Sequence, residues 1–162
     1  MKEVNLKLAK IGMISILIYA TLHLLEEGLL GFPAWVSLTW NIPNYTLERW
    51  LIHNFFFLGV QLALFTIHLS TNFRYLFIPV GIVIWGVINS LNHVIFTFYS
   101  GFSPGLITSF IFIILFVWVL REIKGRKDFR NLILQSIGLG IALWIIPIIL
   151  FLLFDIFVLK IV

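Results

Sequence analysis

Apolar residues in this chain neither alternate with polar ones nor recur on a single helical face; they come in long runs separated by short polar knots. The runs cover about residues 8–32, 50–69, 75–98, 104–120 and 132–159. Each is near the roughly 20 residues that an α-helix needs to cross the hydrocarbon core of a bilayer. A helix in water keeps a polar face, and a helix in lipid does not need one. The pattern therefore predicts an all-α fold, a polytopic transmembrane helical bundle of about five spans.

The knots give the connections. Pro33 ends the first run and opens the longest one, residues 33–49, where Trp35, Trp40 and Tyr45, with Trp50 just after it, suit a segment at headgroup level that can act as a lid. Thr71, Asn72, Phe73 and Arg74 form a tight polar turn, so the second and third spans make an antiparallel hairpin. Ser103 is expected to be the N-cap of the fourth helix, with Pro104 as its first residue. Pro147 should kink the fifth helix, and Gly138 and Gly140 allow a close helix contact.

Composition strengthens this picture. Of 162 residues, 61% are apolar and 11% charged, against about 25% charged in a soluble domain, and the mean hydropathy is +1.10. Five spans use nearly the whole length, which predicts one membrane domain, 1–162, with no soluble domain at either end. The first run is too long for a secretion signal and no small-residue cleavage site follows it. The net charge of +4 sits beside run ends and forms no stripe for nucleic acid. The absence of cysteine excludes disulfides, thiolate metal sites and cysteine nucleophiles. Lys2, Lys7, Lys10, Arg74, Arg121, Lys124, Arg126, Lys127 and Arg130 fall on one side of the membrane, and only Arg49 and Lys160 on the other. The positive-inside rule then predicts a multi-pass cell-membrane protein with a cytoplasmic N-terminus.

Polar residues inside the runs carry the candidate chemistry: His23, Glu26, Glu27, His53, Asn54, Gln61, His68, Asn89, Asn92, His93 and Asp155. A carboxylate near the bilayer centre costs roughly 2.5 to 3.5 kcal/mol and is kept only beside a partner, a cavity or an ion. At about 1.5 Å per residue from the outer end of each span, His23 lies roughly 14 Å deep, Glu26 and Glu27 roughly 8 to 9 Å, His53 about 5 Å and His93 about 8 Å. Asn92 and Asn89 follow at about 9 and 14 Å. Glu26 and Glu27 flank the direction set by His23, and Asn89 and His93 share one face a turn apart. Spacings of three and four are those with which helical bundles gather imidazole and carboxylate ligands around metal ions. The expected metal ligands are His23, Glu26, Glu27, His53 and His93. Glu26 or Glu27, whichever is left unliganded, is the expected general base, with Asn89 and Asn92 orienting ligand or substrate. Nitrogen and oxygen donors suit zinc, iron or manganese and do not choose among them.

The same residues carry a resemblance. His23-Leu24-Leu25-Glu26-Glu27, the following Gly31-Phe32-Pro33-Ala34-Trp35, the stretch Asn89 to His93, and Ser103-Pro104-Gly105 within Tyr99 to Thr108 resemble the HXXEE family of small multi-span membrane proteins, whose function is uncharacterised. The resemblance covers about residues 10–110. It implies that His23, Glu26, Glu27, Asn89 and His93 matter together, and it supplies no reaction.

Three functions compete at this level. A metal-dependent membrane enzyme, hydrolase or oxidoreductase, would act on a lipid-like or other apolar substrate near the outer leaflet. A proton- or ion-coupled carrier would use the same groups as a relay, helped by Asn54, Gln61 and His68, which repeat every seven residues on one stripe. A non-catalytic membrane subunit would use them as packing glue. His68 by itself reads as an interfacial residue, and the stripe as interhelical packing. Asp155 either joins the histidine cluster or snorkels outward, and Asn44-Tyr45-Thr46 fits a glycosylation acceptor.

Overall fold

The computed structural model describes residues 2–42 and 44–159; Pro43, in the long connection, and Lys160, counted above on the outer side, lie outside the described residues. The chain forms α1 (Lys2–Ile18), a π-helical turn (Tyr19–His23), α2 (Leu24–Leu29), α3 (Phe32–Thr39), α4 (Leu47–Ser70), α5 (Phe77–Ser100), α6 (Leu106–Ile123), α7 (Phe129–Phe154) and a second π-helical turn (Asp155–Leu159). The helix runs without interruption from α1 through its π turn into α2. Five stretches, Glu3–Leu29, Leu47–Ser70, Phe77–Ser100, Leu106–Ile123 and Phe129–Val158, are long and apolar enough to cross a membrane. The fold is thus the multi-pass helical bundle that the run pattern predicts.

Within it, α5 is the centre: 61% of its most apolar stretch is buried, against 22% for the last span. Lipid tails are as apolar as leucine, so helices in a bilayer associate through close packing, and small residues permit it. A Cβ added at Gly86 of α5 would lie 2.5 Å from the Phe112 ring, one at Gly81 2.8 Å from Leu139, and one at Gly12 of α1 2.6 Å from Pro79. Gly140 of α7 makes the expected close contact, 2.7 Å from Ile84 by the same measure, whereas Gly138 faces open space. Outward faces stay apolar and exposed, as at Leu29, Phe98, Ile107, Ile114 and Phe157.

Three local expectations are corrected. Pro33 does not end the first span, which stops at Leu29: the chain reverses at Gly31, whose φ is 74°, and Pro33 stands in the first turn of α3, where its missing N–H costs nothing. Half of the long connection is therefore helix, seated by buried Val36 in a cluster with Tyr45, Trp50 and Phe151. Ser103 is not the N-cap of the fourth span; α6 begins at Leu106 behind Gly105, at φ 98°, because a carboxylate from α2 takes its first amides. His68 stands in the last turn of α4 but is not exposed there: it is fully buried against the rings of Phe65 and Phe73. The turn at Asn72 and Phe73, both with positive φ, folds the phenyl ring back over it. Pro147 lies within α7, which remains helical to Phe154.

Because neighbouring spans run antiparallel, the ends of α2, α5 and α7 and the starts of α4 and α6 meet at one end of the bundle. The candidate chemistry lies there.

Candidate metal centre

Successive steps of four residues drift by about 40° around an α-helix. Tyr19, His23 and Glu27 are spaced by four and would spread around the helix if it were regular. The π turn over Tyr19–His23 takes more residues per turn and cancels part of that drift, so all three are buried on the bundle side. Glu26, one residue off this line, faces α6 instead.

Glu27 Oε1 lies 3.4 Å from His23 Nε2 and 3.4 Å from His93 Nε2. The three ligand atoms fall within 4.8 Å of one another, and the residues are only 1%, 4% and 4% exposed for His23, Glu27 and His93. The other carboxylate oxygen, Oε2, accepts a hydrogen bond from Trp50 Nε1 at 3.0 Å. His93 Nδ1 meets Ser103 Oγ at 3.0 Å, which holds its ring from behind.

The tautomer of His23 follows from a chain of hydrogen bonds. Glu26 Oε1 accepts from the amides of Gly105 (3.2 Å) and Ile107 (2.9 Å), and Oε2 accepts from the Thr108 amide (2.8 Å) and the Thr108 hydroxyl (2.7 Å). A hydroxyl has one proton, and the carboxylate takes it, so His23 Nδ1, 2.7 Å from Thr108 Oγ1, must be the donor in that contact. His23 Nε2 is then the acceptor of the ring; it receives the Asn89 Nδ2 hydrogen bond at 3.0 Å and has Glu27 Oε1 3.4 Å away.

The three residues could hold a cation. Bonds of about 2.1 Å in a tetrahedral site put neighbouring ligand atoms about 3.4 Å apart, which both carboxylate-to-imidazole separations match. Asn89 Nδ2 lies 3.0 Å from the same His23 nitrogen, so loading requires that amide to swing aside or to turn its oxygen inward. The Thr108 and Ser103 hydroxyls behind the two imidazoles, the first anchored on Glu26, are the kind of outer partner that orients metal-binding histidines.

Two expected ligands are placed elsewhere. Glu26 spends both oxygens on the start of α6, since the free amides and positive dipole end of that helix attract a carboxylate. His53 stands outside the trio: its Nδ1 meets the Tyr45 hydroxyl at 2.9 Å and its ring stacks on Phe151 at 4.5 Å. Asn92 lines the cavity beside Asn89. Asp155 pairs with Arg49, whose guanidinium also donates to the Asn44 carbonyl at 3.2 Å, so it neither joins the histidines nor reaches outward. Asn54 accepts a hydrogen bond from Tyr19 and donates to the Trp50 carbonyl at 2.9 Å.

A cavity of about 240 Å³ opens onto the trio and reaches Tyr45, Arg49, His53 and Phe151. Trp35 helps to cover it, donating from Nε1 to Ser100 Oγ at 3.2 Å and packing on Phe96.

Residue-by-residue reading of the spans missed Tyr19, Trp50, Ser103, Gly105 and Thr108. Gly105 had a signal, a Ser-Pro-Gly stretch in an otherwise apolar region, and its role is steric: a Cβ there would lie 2.5 Å from the His93 ring and 2.8 Å from the His23 ring. Thr108 and Trp50 had none, because a threonine in a helix start and a tryptophan near an interface are ordinary membrane residues. No family model, curated protein or solved structure compared with this chain matches it.

Proposed function

We propose that this chain is a membrane-embedded enzyme that binds a divalent metal ion through His23, Glu27 and His93 and acts on an apolar, lipid-like substrate near the outer leaflet. The observation that carries the reading is the buried Glu27 oxygen equidistant from two imidazole nitrogens, one of them in a ring held at its other nitrogen by Thr108. Zinc, iron or manganese would suit the donors, and such an ion would supply a Lewis acid for hydrolysis or, if redox-active, an oxidation.

The chain's own groups have separable tasks. Thr108 and Ser103 orient the two imidazoles, Trp50 holds the second oxygen of Glu27, and Asn89 and Asn92 present amides to whatever enters. With Glu26 committed to α6, proton handling falls to His53, which lines the same cavity and whose buried Nε2 has no hydrogen-bond partner. The bundle end that carries the site lies opposite the basic residues, hence the outer leaflet under the positive-inside rule, with the N-terminus in the cytoplasm. The residues that meet include His23, Glu27, Asn89 and His93 from the HXXEE resemblance, and we extend the proposal to membership of that family.

Elemental analysis of protein purified in detergent without added metal tests the reading. About one transition ion per chain is expected, lost in Glu27→Gln and His93→Gln and retained in His53→Gln. A folded, metal-free preparation would overturn it. A carrier would then gain support from Gln61, fully buried in α4 with neither amide atom hydrogen-bonded, and should show proton flux in liposomes that Glu27→Gln abolishes.

A further inference from the structure

We infer that the cavity beside His23, Glu27 and His93 takes a single-chain or single-ring amphiphile of about ten non-hydrogen atoms with one oxygen head group, not a diacyl phospholipid. The inference deepens the metal-centre reading and depends on it only for where the oxygen lies.

Size is the first argument. A protein cavity of about 150 Å³ holds one benzene molecule, so the 240 Å³ here corresponds to about ten non-hydrogen atoms, several times less than a phospholipid with two chains. The walls are the second. Trp35, Trp40, Phe96, Trp144, Ile148 and Phe151 supply flat or branched apolar surface, and these side chains come from α3, the loop after it, α5 and α7. Polar groups line it at the trio with Asn89 and Asn92, and again at Tyr45, His53 and Arg49, where Tyr45 meets His53 and Arg49 is bound to Asp155; the oxygen of a guest is assigned to the first group and its body to the rings.

Charge is the third argument. A phosphodiester head group calls for arginine or lysine donors. Among the described residues Arg49 is the arginine or lysine on the cavity wall, and it is already bound to Asp155 and to the Asn44 carbonyl. A hydroxyl, carbonyl or carboxylate oxygen is within the reach of a cation and amides; a bulky phosphodiester lacks both the space and the second cationic partner.

Tryptophan fluorescence reads occupancy directly, because Trp35, Trp40, Trp85 and Trp144 line the cavity. Trp85 is 1% exposed, so a quencher dissolved in the detergent reaches it only through the cavity. The probe is 8-bromooctan-1-ol, with ten non-hydrogen atoms. We expect saturable quenching, competed by octan-1-ol and octanoate, about tenfold more weakly by octane, and not by dioctanoyl phosphatidylcholine. Ile148→Phe, which fills the cavity, should abolish the saturable phase; if it does not fold, Leu152→Phe serves, as both residues line the cavity. Octanoate competing far better than octan-1-ol would assign the head group as a carboxylate, and the reverse as a hydroxyl; both support the inference. Quenching that never saturates, or competition by dioctanoyl phosphatidylcholine at octan-1-ol concentrations, would overturn it. Saturable quenching in protein that carries no ion would leave this inference standing while removing the metal centre, and an ion without saturable quenching would do the opposite.

Discussion

At the scale of single residues, the deciding group is the hydroxyl of Thr108. It gives its proton to Glu26 and accepts one from His23, so a carboxylate outside the ligand set fixes which imidazole nitrogen faces the cavity. Outer partners of this kind are worth about 10- to 100-fold in metal affinity. Thr108→Val should therefore weaken zinc binding, measured by competition with a chelator, by about 10- to 100-fold, while Thr108→Ser, which keeps the hydroxyl, should bind close to wild type. Equal affinities for valine and serine variants would show that the hydroxyl orients nothing. His23 and Glu27 were legible as candidates because ionisable groups are costly in a span; the choice between Glu26 and Glu27 was not legible. That choice depends on a π turn that redirects the helix face and on the start of α6 offering free amides to one of them.

At the scale of elements, two devices hold the site. One is the docking of α6 on α2 through Glu26, in place of a cap from its own flank. Hydrogen bonds to a charged group are worth about 1.5 to 3 kcal/mol each, toward the lower end at a half-buried carboxylate such as Glu26, and Glu26→Gln loses acceptor capacity at one oxygen. The variant should be less stable by about 2 kcal/mol, read as a lowered melting temperature by circular dichroism in detergent; unchanged melting would mean that α6 finds its cap elsewhere. The other device is close approach to α5. Gly86→Ala must displace the Phe112 ring, and Phe112 also packs edge-on against His23 at 5.8 Å. Overpacking of this type costs about 1 to 3 kcal/mol, and the same circular-dichroism melt should show it, with no loss for Gly138→Ala, where a Cβ meets nothing and alanine is the better helix former. The five long helices themselves were plain from run length. Their joints were less so: a proline that opens α3 and a glycine that precedes α6 at positive φ look alike in sequence, as breaks between runs.

At the scale of the whole molecule, the bundle separates two ends. Basic residues, among them Arg74, Arg121, Lys124 and Arg130, gather at one, and the buried trio of His23, Glu27 and His93 lies at the other. The chain has no cysteine, so single introduced cysteines report orientation cleanly. A membrane-impermeant maleimide added to intact cells should label Glu48→Cys, which is exposed near the site end, and should label Arg74→Cys only after the cells are opened. The opposite labelling pattern would invert the molecule and move the site to the inner leaflet.

The sequence by itself determined that this chain lives in lipid and folds as long helices, because run length and the scarcity of charge set the solvent, and lipid leaves a backbone few alternatives to the helix. It also determined that His23, Glu27 and His93 needed company, because isolated ionisable groups are not kept in a span. Only the tertiary structure decided which company. Glu27 and His93 come from different helices, and Thr108, Ser103 and Trp50 from three further segments, so their meeting depends on helix rotation and close packing around α5. Rotation is set by contacts between helices, and spacing along one strand of sequence carries no record of them.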